Sequence, residues 1–219
     1  MKKGSLIAIS GSDGAGKETQ TKRLVERAKS EFYPVKTLSF PQYEKPTGKL
    51  VSAYLRGEFG NLNEVDPEFA ASIYAVDRLS ERGTLDSWIE SEQNIILDRY
   101  IQDNIAHQSC KFESLEREKM IDWIKNLEYK HFNLPKPKLN LYLYLPLEHS
   151  QKAMEDEGRE KDLHEKNWDY LKRVEETFLY LTETEPNFKL VSCLDNEKRI
   201  SIEDMTEILW KEIKPHLVK

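Results

Sequence analysis

The stretch ISGSDGAGKETQ, Ile9 to Gln20, decides how the rest of the chain is read. Gly11, Gly16 and Lys17 fall on the spacing of a phosphate-binding loop, G-x-x-x-x-G-K-[ST]. The position that should offer a hydroxyl to magnesium holds Glu18 instead, and Thr19 supplies a hydroxyl one residue later, on a different helix face. The context supports the motif. LIAIS (Leu6 to Ser10) precedes it as a short apolar strand, and KETQTKRLVERAKSEF (Lys17 to Phe32) follows with helix-forming residues. Glycines at 11, 14 and 16 let backbone amides approach phosphate oxygens, and a helix N-terminus adds the positive end of its dipole. The candidate phosphate-binding set is Gly11, Asp13, Gly14, Ala15, Gly16, Lys17, Glu18 and Thr19, with Lys17 reaching the outer phosphates. A carboxylate at Glu18 is a hard oxygen ligand suited to Mg²⁺. It can meet the ion directly, meet it through water, or face solvent.

Outward from this loop, short apolar runs alternate with longer helical patterns. VKTLSF (Val35 to Phe40), NIILD (Asn94 to Asp98), LNLYLYL (Leu139 to Leu145) and FKLVSC (Phe188 to Cys193) join LIAIS as strands. Runs such as IIL lack polar alternation, which suits strands buried on both faces. Strands alternating with helices imply a parallel sheet between helical layers. A helix is expected to begin at Ser201, the N-cap of SIED, with Ile202, Met205, Ile208, Leu209 and Ile213 at helical spacing.

Composition narrows the function classes. With 219 residues the chain suits one domain, and 38% hydrophobic residues allow a sizeable core. A formal net charge of −6 argues against a general nucleic-acid binder, so any phosphate must be held locally. Two cysteines, Cys110 and Cys193, read as reduced thiols of a cytoplasmic protein rather than a disulfide scaffold. No apolar run approaches the roughly 18 residues needed to span a bilayer, and the apolar stretch ending at Ile9 is too short for a signal peptide. No CxxC or HxH cluster marks a structural metal site.

The second informative stretch is NIILDRYIQDNIAHQ, Asn94 to Gln108. Asp98 ends a strand, where a carboxylate can hold metal-bound water beside the loop, and Arg99 follows as a fork suited to phosphate. With SDGAGKETQ, LDRY, SFPQYEKPTGKL and YAVDR (Tyr74 to Arg78) in this order, the chain resembles the thymidylate kinases almost end to end. LPKPKLNLYLYLP and DLHEKNWDYLKRVEETF are similar to later segments of the family. The resemblance implies a three-layer P-loop kinase fold with a five-stranded parallel sheet, in which the strands after Val35 and Asn94 flank the first. It implies ATP and dTMP as substrates, Mg²⁺ as cofactor with Asp98 and Glu18 as candidate ligands, and a homodimer.

It also implies roles for single residues. Tyr74 lies under the acceptor base and Arg78 at its O4; as i and i+4 they share a helix face. Asn104 hydrogen-bonds the pyrimidine edge, and Phe40 belongs to the same acceptor site. Asp13 contacts the acceptor's sugar or its magnesium, while Tyr43 and Arg99 bind its phosphate. His107 stands where the family has an aromatic close to the sugar 2′ carbon, or is a structural histidine. Position 14 is glycine, so a lid around residues 152–164 must supply cationic charge, with Arg159 the first choice and Lys152 and Lys161 behind it. From its composition, Met154 to Asp162 reads equally as a mobile loop or a solvated helix face. Lys17, Arg99, Asp98 and Arg159 form the expected catalytic set of a dTMP kinase. The alternatives are a kinase for another pyrimidine nucleoside monophosphate and a nucleotide-binding protein without turnover.

Overall fold

A computed structural model describes residues 3–150 and 162–219. Five strands form one parallel sheet: β1 (Leu6–Gly11), β2 (Val35–Ser39), β3 (Asn94–Asp98), β4 (Leu139–Tyr144) and β5 (Phe188–Ser192). Their order across the sheet is β2-β3-β1-β4-β5. The helices are α1 (Lys17–Ser30), α2 (Pro46–Leu55), α3 (Pro67–Ser80), α4 (Arg82–Glu90), α5 (Ile101–Ser109), α6 (Ser114–Lys125), α7 (Trp168–Thr184) and α8 (Ile202–Ile213). A π-helical turn, Asn126–His131, continues α6. A two-stranded antiparallel hairpin, β6 (Leu194–Asp195) and β7 (Lys198–Arg199), follows β5 and was not visible in the sequence pattern.

The unbroken apolar runs are explained by the two faces of the sheet. Successive strand side chains point to opposite faces. Leu6 and Ala8 join Ile95, Leu97, Tyr142 and Phe188 in a core with Leu85 of α4, Ile105 of α5, Ile124 of α6 and Phe178 of α7. Ile7 and Ile9 join Ile96, Leu141 and Leu143 in a second core, covered by Leu24 and Ala28 of α1 and by Met205, Leu209 and Ile213 of α8. Tyr142 stacks on Phe178 with ring centroids 4.5 Å apart. A third cluster, with Val51, Tyr54, Ala70 and Ile73, joins α2 to α3. The Ser201 cap is present, its hydroxyl accepting from Asp204 N–H at 3.0 Å. Ile202, read as part of the α8 apolar face, is half-exposed.

One expectation is corrected. The neighbours of β1 are β3 and β4, and β2 lies beyond β3 at the edge of the sheet. The α1 crossover passes over one strand position, which β3 then fills. The chain moves to one side of β1 for β2 and β3, then to the other for β4 and β5. This reversal opens a crevice at the carboxyl ends of the strands beside β1. It also sets Asp98 in register with Ile9, two residues before Gly11.

Most of the expected lid, including Arg159, Lys152 and Lys161, lies outside the described residues.

Candidate active site

The crevice opens into a cleft of about 1390 Å³. Asp13, Gly14, Ala15, Gly16, Lys17, Glu18 and Thr19 line it, with Phe40, Tyr43, Tyr74, Arg78, Asp98, Arg99, Asn104 and His107. Gly11 does not. It ends β1 against β4, where a Cβ would lie 2.8 Å from the Leu143 carbonyl oxygen, so strand packing demands the glycine there.

The loop is built by left-handed turns. Gly14 and Gly16 have φ of 74° and 87°, and Gly16 caps α1 without a side chain. Lys17 is almost fully buried and donates through Nζ to the Ser12 carbonyl at 2.8 Å, with Asp13 Oδ1 3.6 Å away. Burial, and then the Arg99 charge, push its ammonium below the usual lysine range. Glu18 and Thr19 stand on exposed positions of the first turn. The Glu18 carboxylate accepts from Lys22 Nζ at 2.5 Å, one turn on.

Arg99 ties the loop to the β3–α5 turn. Its guanidinium donates to Asp13 Oδ1 at 2.5 Å and to Asp103 Oδ1 at 2.8 Å. Asp103 also accepts from the Ser10 hydroxyl at 2.7 Å. Asp98 is held above the usual carboxylate range by burial, against the pull of Arg99 and Lys17. Its Oδ1 is buried and has no hydrogen-bond partner among the described residues.

Behind the cleft, Asp77 of α3 fixes the segment after β2. It accepts from Gln42 N–H at 2.9 Å and from the Thr47 hydroxyl at 2.8 Å. The Phe40–Pro41 peptide in this segment is cis. Arg78 donates through Nε and Nη2 to both oxygens of Glu128, at 2.6 and 2.7 Å. Asn104 Nδ2 donates to Glu128 Oε1 at 2.8 Å and to the Ala71 carbonyl at 3.1 Å. Tyr74 meets Tyr54 edge to face, centroids 6.1 Å apart.

His107 stacks on His164, centroids 5.1 Å apart and planes 19° apart. Each ring is tied to a phenol: His107 Nδ1 to Tyr170 Oη at 3.0 Å, and His164 Nε2 to Tyr54 Oη at 3.1 Å. Burial and the Arg99 charge push the His107 imidazole down to about 4. Burial and His107 push His164 well below its ordinary value.

Several of these groups escaped sequence reading. Asp103 had a signal, since it stands only four residues after Arg99, across the β3–α5 turn and within reach of its guanidinium. Glu128, Asp77, His164 and Arg199 had none. Their partners lie far along the chain, as with Arg199, which donates from the β6–β7 hairpin to the Gly14 carbonyl. Among the described residues no cluster of three or more His, Cys, Asp or Glu forms a metal cage. None of their helices is long and apolar enough to cross a membrane.

A family model described as Thymidylate kinase matches residues 9–203. The thymidylate kinase of Mycobacterium tuberculosis (strain ATCC 25618 / H37Rv) is 30% identical over 176 residues, covering 77% of this chain and 81% of that protein. The thymidylate kinase of Homo sapiens is 29% identical over 146 residues, covering 67% and 63%. A solved structure of thymidylate kinase from Candida albicans, an enzyme described as having broad substrate specificity, shares the fold at a TM-score of 0.75. Its identity is 26%, over 97% of this chain and 92% of that one.

The paired histidines generate a pH dependence. A histidine whose folded value lies below its unfolded 6.5 binds its proton first in the unfolded chain. Stability is therefore complete above about pH 6.5 and is lost as pH falls towards 4. For His107 the loss amounts to up to about 3 kcal/mol. The urea midpoint of the parent is expected to fall more steeply over this window than that of His107→Phe. Parallel curves would show that the ring does not stay neutral in the folded chain.

Proposed function

This chain belongs to the thymidylate kinase family, and we propose that it transfers the γ-phosphate of ATP to dTMP, giving dTDP and ADP. The observation that carries the reading is the meeting, in one cleft, of a phosphate loop with a base-sized wall of Tyr74, Arg78 and Asn104. Arg99 lines the same cleft. Little covalent work falls to the protein in phosphoryl transfer. Catalysis consists of aligning donor and acceptor and neutralising the charge that develops between them. Gly14, Ala15, Gly16 and Lys17 take the outer phosphates of ATP. Arg99, already forked between two carboxylates, turns its donors to the acceptor phosphate, with Tyr43 at the same wall. Asp13 meets the acceptor's sugar side, Phe40 backs the pocket, and Tyr74 lies under the base. His107 stands by the sugar. Arg159 supplies lid charge.

Mg²⁺ fits the residues present. Asp98 offers a buried oxygen without a partner at the mouth of the loop. An ion held by one carboxylate, water and substrate phosphates needs no all-protein cage. The ion supplies charge neutralisation at the transferring phosphate. Glu18 is the second candidate ligand. Its pair with Lys22 is exposed on both sides, where water and salt screen the attraction. The carboxylate can therefore leave Lys22 for a metal-bound water at little cost.

The buried thiols Cys110 and Cys193 support a reducing, cytoplasmic setting. A homodimer is supported by apolar side chains left in solvent on and beside α2 and α3. Leu50, Phe59, Phe69 and Val76 are each exposed, and Phe59 meets Phe69 edge to face at 5.6 Å.

ADP release with ATP and dTMP is the direct assay. Lys17→Met is expected to lower kcat by about 10²–10³, the usual cost of deleting a charge aimed at the transition state; an unchanged kcat removes the loop from the chemistry. Initial rate against free Mg²⁺ is expected to be flatter for Glu18→Ser than for the parent, and coincident curves would leave Glu18 a surface residue. Light scattering at micromolar concentration is expected to give twice the chain mass, and a monomer there rejects the dimer.

A further inference from the structure

Arg78 and Asn104 line the cleft, and Glu128 does not. Glu128 lies directly behind them on the π-helical turn, with no exposed surface. Turns of this kind widen a helix locally and often re-aim a side chain. Here Glu128 is turned inward, 50 residues from Arg78 in sequence and 24 from Asn104.

The hydrogen bonds leave no choice about which way Asn104 faces. Its amide nitrogen has two N–H groups. One goes to Glu128 Oε1 and the other to the Ala71 carbonyl, both acceptor-only oxygens. A flipped amide would set Oδ1 against both, so the geometry admits one orientation. In that orientation both donors are consumed. What remains is Oδ1, which is buried and has no partner among the described residues. Asn104 is thus an acceptor and nothing else. Arg78 is the converse. A guanidinium only donates; Nε and Nη2 are held by Glu128, and Nη1 has no hydrogen-bond partner among the described residues.

We propose that Glu128 is a positioning residue for acceptor specificity: its carboxylate fixes Arg78 as donor and Asn104 as acceptor, a pair that matches the O4 carbonyl and N3–H of thymine or uracil. Cytosine offers an amino group and a bare ring nitrogen at the same two places. It would set donor against donor and acceptor against acceptor. The inference rests on the proposed acceptor site and names the group that gives it its polarity. The two reading residues stand on different helices, α3 and α5. One buried carboxylate locks both, so the pattern they present cannot change one member at a time.

The test uses binding, which needs no turnover. Calorimetric Kd values for dTMP, dUMP and dCMP are measured on the full chain and on Glu128→Gln. An amide at 128 brings its own N–H₂ to face either Arg78 or Asn104, and Asn104 is released to turn its nitrogen to the base. The parent is expected to bind dTMP and dUMP at least about tenfold more tightly than dCMP, the effect of leaving one buried polar group unpaired. In Glu128→Gln that ratio is expected to collapse by about tenfold, with ATP binding unchanged. Where Glu128→Gln does not fold, Glu128→Asp serves. It keeps a charge opposite Arg78 and draws back by one methylene from Asn104, and the same loss of discrimination is expected. A variant that weakens all three nucleotides in parallel, with the ratio intact, makes Glu128 a structural counter-ion and overturns the proposal. A parent that binds dCMP as well as dTMP overturns it too. A parent that discriminates as expected but transfers no phosphate refutes the kinase reading alone.

Discussion

The Arg99 guanidinium is the joint on which the site depends. It reaches Asp13 in the phosphate loop and Asp103 on α5, so it joins the turn after β1 to the turn after β3. Its backbone is held at φ 63°, a left-handed conformation that costs a non-glycine residue on the order of 1 kcal/mol. The surroundings over-determine it. Its N–H donates to the Ile9 carbonyl at 2.9 Å, extending the β1–β3 ladder one residue beyond Asp98. The strained turn thus aims the guanidinium across the loop while Asp98 stays at the strand end. Three carboxylates raise the Arg99 charge affinity further, against the cost of burial.

This joint exists because of the strand order. Had β2 been the neighbour of β1, the DRY turn would have lain one strand farther away, about 5 Å in the hydrogen-bonding direction. The chain's reversal around β1 is therefore a functional constraint as well as a topological one. The buried alternation of Leu6 and Ala8 against Ile7 and Ile9 holds β1 at the centre. A slip of one residue would exchange the two sets between faces that pack different helices.

What was legible in the sequence follows from the range of the interactions involved. The loop, the DRY turn and the Ser201 cap are local patterns, and each lies where its residues indicated. All five strands could be read because unbroken apolar runs record burial on both faces. Strand order could not be read, since nothing in VKTLSF or NIILD says which of them lies against LIAIS. The site divides the same way. Tyr74 and Arg78 share a helix turn and could be paired on sight. The Arg78–Glu128 fork spans 50 residues and depends on a π-helical turn for which NLEYKH carries no mark. His164 stacks on His107 across 57 positions of sequence, a distance over which no local pattern in DLHEKNWDY reports the pairing.

The chain's net charge of −6 opposes the approach of two polyanionic substrates, and the site shows how the two fit together. Three of its cations are already engaged: Lys17 with Ser12 and Asp13, Arg99 with Asp13 and Asp103, Arg78 with Glu128. Buried charges without partners would be far more costly than paired ones. The acidic partners therefore offset the cost of burying these cations and hold them in fixed geometry. Of the three, Arg99 and Lys17 share the Asp13 carboxylate, which is partly exposed and which water can solvate when phosphate takes its place. Arg78 cannot exchange in this way, because Glu128 has no access to water. The same acidic residues thus divide the cleft into two kinds of ground. At the phosphate end ion pairs can trade partners, and at the base end they cannot, so charge is accommodated at one end while identity is read at the other.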